Sequence, residues 1–129
     1  MNKIPSFTVT HKGTACDLYV GRYADGGGVA LQLVERATGE PWAKATVNLP
    51  DDRRLLGPDE VFIKDYSENV GMMDALALAG VATDTGRRVV TGYVMAVVAR
   101  LTPAFTQLSV LKIDIPDPEA PLPPPPLSS

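Results

Sequence analysis

The chain has 129 residues, 45% of them hydrophobic, with 12 basic and 15 acidic side chains and a net charge of −3. That size and apolar content suit one small globular domain with a single core, and the mild acidity excludes the dense basic footprint of a nucleic-acid-binding surface. A lone cysteine, Cys16, excludes an intramolecular disulfide framework.

The first ten residues are polar and strand-like, without the basic and apolar regions of a secretory signal. The longest apolar run, residues 94–99, falls far short of the ~20 residues that span a bilayer, so a soluble, cytoplasmic protein with no membrane partner is expected. Charge is unevenly spread: residues 51–84 carry eight acids against Arg53, Arg54 and Lys64, a balance of −5, and the flanks are nearly neutral. DNA mimicry needs a denser carboxylate array than this.

In chain order, "SFTVTHKGTACDLYVGRY" predicts a hairpin turning at Gly13-Thr14, a glycine-first loop of type II′. That register sets His11 opposite Cys16, Val9 opposite Leu18 and Phe7 opposite Val20, with Phe7, Val9, Cys16, Leu18 and Val20 on one face. "VALQLVER" and "PWAKATVNLP" alternate in the same way around a turn at Gly39, and their faces come into phase only across a loop of three or five residues. Residues 7–49 therefore predict a four-stranded antiparallel meander.

"DDRRLLGPDE" reads as a surface loop with solvated acid pairs Asp51/Asp52 and Asp59/Glu60, and "EVFIKDY" as a fifth strand. A helix follows, with Val70, Met73, Leu76, Ala77 and Gly80 on one stripe and Gly80 as its C-terminal stop. "TDTGRR" reads as a turn. "VVTGYVMAVVARL", apolar on both faces, predicts a central or bulged strand with Gly92 at the irregularity. The fold class is thus α+β: an antiparallel sheet with one main helix. The domain covers residues 1–101, residues 102–115 form an extension (an extra strand or an arm), and residues 116–129 form a proline-rich disordered tail.

Six consecutive polar residues, Lys64, Asp65, Tyr66, Ser67, Glu68 and Asn69, stand between the fifth strand and the helix. Asp65-x-x-Glu68 fits a capping box, and Ser67 or Asn69 fits the cap of a later helix start. One cap accounts for one residue, which leaves the others as a recognition loop. Asp65-x-Ser67-x-Asn69 imitates the first calcium-loop positions, but Val70 stands where glycine is needed and Leu76 where glutamate is needed. His11 and Cys16, paired across the predicted hairpin, have the chemistry of a thiolate dyad, although their apolar neighbours favour a packed rim. With one histidine and one cysteine, His/Cys zinc sites and histidine triads are excluded. No metal or cofactor is implied. "ADGGGVA" precedes a strand and lacks the Lys-Ser/Thr of a phosphate cradle.

The runs "GEPWAKATVNLP" and "IKDYSENVGM", followed by "TGRRVVTGYV", resemble a family of small uncharacterised proteins encoded on bacterial plasmids, integrative elements and phages. The resemblance covers residues 7–101. It carries no catalytic residues; it implies an accessory protein of mobile DNA in the bacterial cytoplasm. The expectation is a non-catalytic protein-binding module contacting a host or element-encoded protein through Lys64, Asp65, Tyr66, Ser67, Glu68 and Asn69, with Trp42 or Tyr93 nearby. Inhibition of a defence complex, of anti-CRISPR or anti-restriction type, is its sharpest form, without direct nucleic-acid binding. The acidic middle third favours a basic partner surface. The alternatives are a small enzyme using Asp65, Tyr66 and Glu68 as acid/base groups, and a self-assembling module pairing strand 88–101 or the arm 102–115 between chains.

Overall fold

The computed structural model describes residues 1–25 and 27–107. The rest of the extension, from residue 108, and the proline-rich segment lie outside these. The strands are β1 (Asn2–His11), β2 (Thr14–Arg22), β3 (Val29–Glu35), β4 (Pro41–Lys44), β5 (Glu60–Ile63), β6 (Ala82–Thr91) and β7 (Val94–Leu101). The helices are α1 (Met72–Leu78) and the single turn α2 (Pro103–Thr106), with short 3₁₀ turns at Pro50–Leu55 and Ser67–Asn69. The expected α+β class holds. The strands form two antiparallel sheets, ordered β1-β2-β3-β4 and β5-β7-β6.

The first sheet is the predicted meander, and a five-residue loop joins β3 to β4. Val9, Cys16, Leu18, Val20, Leu31 and Leu33 are buried, while Thr8 and Thr10 are exposed. The hairpin register differs from the expected one. Lys12 and Gly13 form the turn with φ of 53° and 79°, so His11 pairs with Thr14 and Val9 with Cys16. Two successive positive φ values mark a type I′ turn, whose twist suits the flanking strands. From Thr8 to His11 the partner of each β1 residue moves by two positions, which leaves these side chains on their expected faces; alternation alone cannot detect such a slip. Further back the ladder breaks between Ile4 and Thr8, around Pro5, which has no N–H to donate. Ile4 pairs with Leu18, and Phe7 moves out of the ladder to meet Phe105 edge-on, ring centroids 5.5 Å apart.

β4 is shorter than its apolar alternation because the chain leaves the first sheet there. The Ala45 N–H still donates to Leu31 O, but Thr46 bridges to Ile63 and the Val47 N–H donates to Phe62 O. Residues 45–47 thus join the two sheets. In the second sheet, "TDTGRR" is not a turn but a bulge within β6: the register shifts between Asp84 and Arg87, and Asp84 Oδ1 accepts from the Gly86 N–H. Asx-turn chemistry and a glycine serve a bulge as well as a loop. "VVTGYVMAVVARL" is two strands: Gly92, at φ 66°, and Tyr93 form a hairpin turn with Thr91 opposite Val94. β7 is the central strand, as its two-sided apolarity demands. Val97, Ala99 and Leu101 enter the main core, and Ala96 and Val98 meet Phe62 on the other face.

α1 buries Met72, Met73, Ala75 and Leu76 against β1 and β6. Val70 and Ala77, expected on that stripe, are exposed. Gly71, at φ 91°, turns the chain just before the helix, so Val70 never joins the helical face. At the other end Gly80 closes a Schellman motif: its N–H donates to Ala77 O and the Val81 N–H to Leu76 O. No helix among the described residues is long and apolar enough to cross a membrane.

Candidate functional site

The loop of Lys64 to Asn69 connects β5 to α1, and the fold divides its six side chains by role. Asp65 faces inward. Its Oδ1 accepts from the Gly71 N–H at 2.7 Å and its Oδ2 from the Met73 N–H at 3.2 Å. It therefore caps α1, as one sequence reading held, but from several residues upstream of the helix and without a capping box. Glu68 does not reach back to it. The Glu68 carboxylate instead accepts from its own backbone N–H and from Lys64 Nζ at 3.0 Å, and these hold its carboxyl below the usual range. Asn69 is buried, donating from Nδ2 to Lys44 O at 2.6 Å.

This division counts against the calcium reading: both oxygens of Asp65 face backbone donors, and Asn69 is buried with its Nδ2 donating to Lys44 O. Among the described residues no three His, Cys, Asp or Glu side chains converge as a ligand set. It also weakens the acid/base reading, since an enzyme would need Asp65 free to face a substrate.

Four residues outside the six polar ones complete the surface. Lys12, from the β1–β2 turn, donates to Glu68 O at 2.8 Å. His11 is buried and lies 3.0 Å through Nε2 from Val70 O, while Trp42 Nε1 donates to its Nδ1 at 3.1 Å. The indole can only donate and the carbonyl can only accept, so the ring is in the Nε2–H tautomer with both nitrogens occupied. No Cys–His dyad forms: Cys16 donates to Thr14 O at 3.5 Å, and burial, followed by the charges of Glu35 and Asp17, pushes its thiol pKa up. Through His11, Trp42 joins the loop, as the sequence suggested; Tyr93 sits in the β6–β7 turn. Nothing in local sequence links His11 and Trp42 to Val70. Only the tertiary pairing of β1, β4 and the loop reveals it.

The outward face then consists of Trp42, 36% exposed, Val70, 57% exposed, and Glu68, Ser67 and Lys12, with half-buried Tyr66 beneath Lys64 Nζ at 5.7 Å. Ser67 holds φ at 55°, a left-handed conformation uncommon for a side-chain-bearing residue. Four of the eight acids of the middle third have partners of their own. Glu60 is buried against Arg87 and Arg100, Asp84 pairs with Arg88, Glu68 with Lys64, and Asp65 caps α1. The chain matches no family model, no curated protein and no solved structure. The resemblance drawn from its motifs stands on those motifs alone.

Proposed function

We propose that the protein is a non-catalytic binding module that docks a partner protein on the surface built from Trp42, Tyr66, Glu68, Val70 and Lys12. The observation that carries this reading is preorganisation. Asp65, Asn69, His11 and Lys12 fasten the loop from four directions, so its outer side chains are presented in a fixed arrangement. A loop already ordered loses little entropy on binding, and Trp, Tyr and charged residues around an exposed apolar group are the composition of interface hot spots. The motif resemblance to accessory proteins of mobile DNA gives the partner's setting: a host or element-encoded protein, with inhibition of a defence complex as the sharpest form. Glu68, the acid on this surface, is paired with Lys64, so the partner is matched here by shape and aromatic anchoring more than by a basic patch.

The test compares wild type with Tyr66→Ala/Glu68→Ala as bait in bacterial lysate, followed by binding of the purified candidate partner. The double variant is expected to melt close to wild type and to lose the partner. If both folded forms bind it equally, this surface is not the interface. Loss of folding in the double variant assigns the loop a structural role only.

A further inference from the structure

A cleft of about 120 Å³ opens where the two sheets meet, lined by Arg22, Arg53, Asn48, Glu60 and Gly28 among others. Its two guanidiniums come from different elements. Arg22 ends β2 and donates from Nη1 to Gly27 O at 2.5 Å. Arg53 rises from the 3₁₀ turn and lies across the glycine backbone: a Cβ on Gly28 would stand 3.9 Å from its Cζ and Nε, and one on Gly27 3.8 Å from its Nη1. The loop carrying those glycines is fastened by Asn48, which donates to Asp25 O at 3.0 Å.

Neither arginine has a carboxylate partner among the described residues, although the chain as a whole is acidic. The one carboxylate lining the cleft, Glu60, is already taken by the Gly57 N–H, Arg87 and Arg100. Desolvation first, and then the nearby Arg53 charge, push the Arg22 pKa down. Both arginines are exposed, so solvent screens much of their mutual repulsion, and an anion between them would offset the remainder. The guanidinium fork matches the oxygens of a phosphoryl group.

We propose that this cleft binds a doubly charged phosphoryl oxyanion, free phosphate or a phosphate monoester, between Arg22 and Arg53. A dianion balances the two unpaired charges, where a single carboxylate would leave one over. Val47 and Phe62, which also line the cleft, give an ester's organic group an apolar wall. The site is independent of the protein-docking surface and stands or falls separately.

The experiment is a titration of the ¹⁵N-labelled full chain with inorganic phosphate and with phenyl phosphate, at fixed ionic strength against sodium chloride. Saturable shifts centred on the Gly27, Gly28 and Asn48 amides are expected, with binding weakened at least about tenfold in Arg53→Gln and in Arg22→Gln, and unchanged in Arg54→Gln. The spectrum of each variant reports whether it is folded. Tighter binding of phenyl phosphate assigns an ester, and equal binding assigns the free ion. No saturable shift, shifts centred elsewhere, or equal binding by folded Arg53→Gln overturns the proposal; the last would be the general salting effect of phosphate.

Discussion

Glu60 belongs to an acid pair that reads, in sequence, as solvated loop, yet it is 8% exposed. Tertiary partners reverse the expectation: the Gly57 N–H and Arg87 meet Oε1, and Arg100 meets Oε2 at 3.0 Å. The amide first and Arg87 next lower its pKa from 4.5 to about 2. A depressed carboxylate pKa means that the native state prefers the ionised form. Its contribution is complete above the unfolded value and fades as pH falls from 4.5 toward about 2. The urea midpoint of the wild type should therefore drop through that window. Glu60→Gln, which keeps the volume but cannot ionise, should flatten the decline. A shallower slope should remain, because Asp17, held by Arg36, and Asp84, held by Arg88, are lowered too. Equal slopes in the two proteins would mean that Glu60 is not specially stabilised.

Strands one to four were legible because one face of their sheet is buried and the other is wet, so polarity alternates with the pleat. Their pairing was less legible: the I′ turn at Lys12-Gly13 and a II′ turn at Gly13-Thr14 leave the same faces buried. "TDTGRR" and "VVTGYV" misled for a related reason, since a glycine among polar residues serves a bulge or a turn equally well. Of the site, the loop and the capping role of Asp65 could be read locally. The His11 bridge from Trp42 to Val70 could not. The seam between the sheets was equally hidden, since "KATVNLP" continues the alternation straight through the point where the strand changes sheet. At that seam Thr46 is buried, and its Oγ1 accepts from the Leu31 N–H at 3.1 Å and bonds the Tyr23 hydroxyl at 2.7 Å. Thr46→Val keeps the shape and leaves both partners unsatisfied, at a cost of about 1–3 kcal/mol. Chemical denaturation measures this loss. A neutral result would mean that water replaces the hydroxyl and that the seam is held by its backbone bridge alone.

The two sheets share a single core, to which the four-stranded sheet gives Ile4, Leu18 and Leu33, the three-stranded one Ile63, Val97 and Leu101, and α1 Met72 and Leu76. The sequence reading ends the domain at Leu101, where composition changes and Pro103 interrupts. The core continues beyond that point. Thr102 anchors the next turn, its N–H donating to Val81 O and its Oγ1 to Gly80 O, and α2 then sets Phe105 into the main cluster with 0% exposure. Pro103 opens this helix rather than breaking one, since the first helical position needs no N–H. The ring closes the end of the core beside Phe7, whose displacement by the β1 irregularity makes room for the edge-on contact. Removing a buried phenylalanine side chain costs about 3–5 kcal/mol, a large fraction of a small domain's stability. Phe105→Ala in the full chain should lower the unfolding free energy by that amount, and a chain of residues 1–101 should be at least as destabilised relative to one of residues 1–107. If the two truncations unfold at the same urea concentration, the core closes without α2 and the domain ends at Leu101 after all.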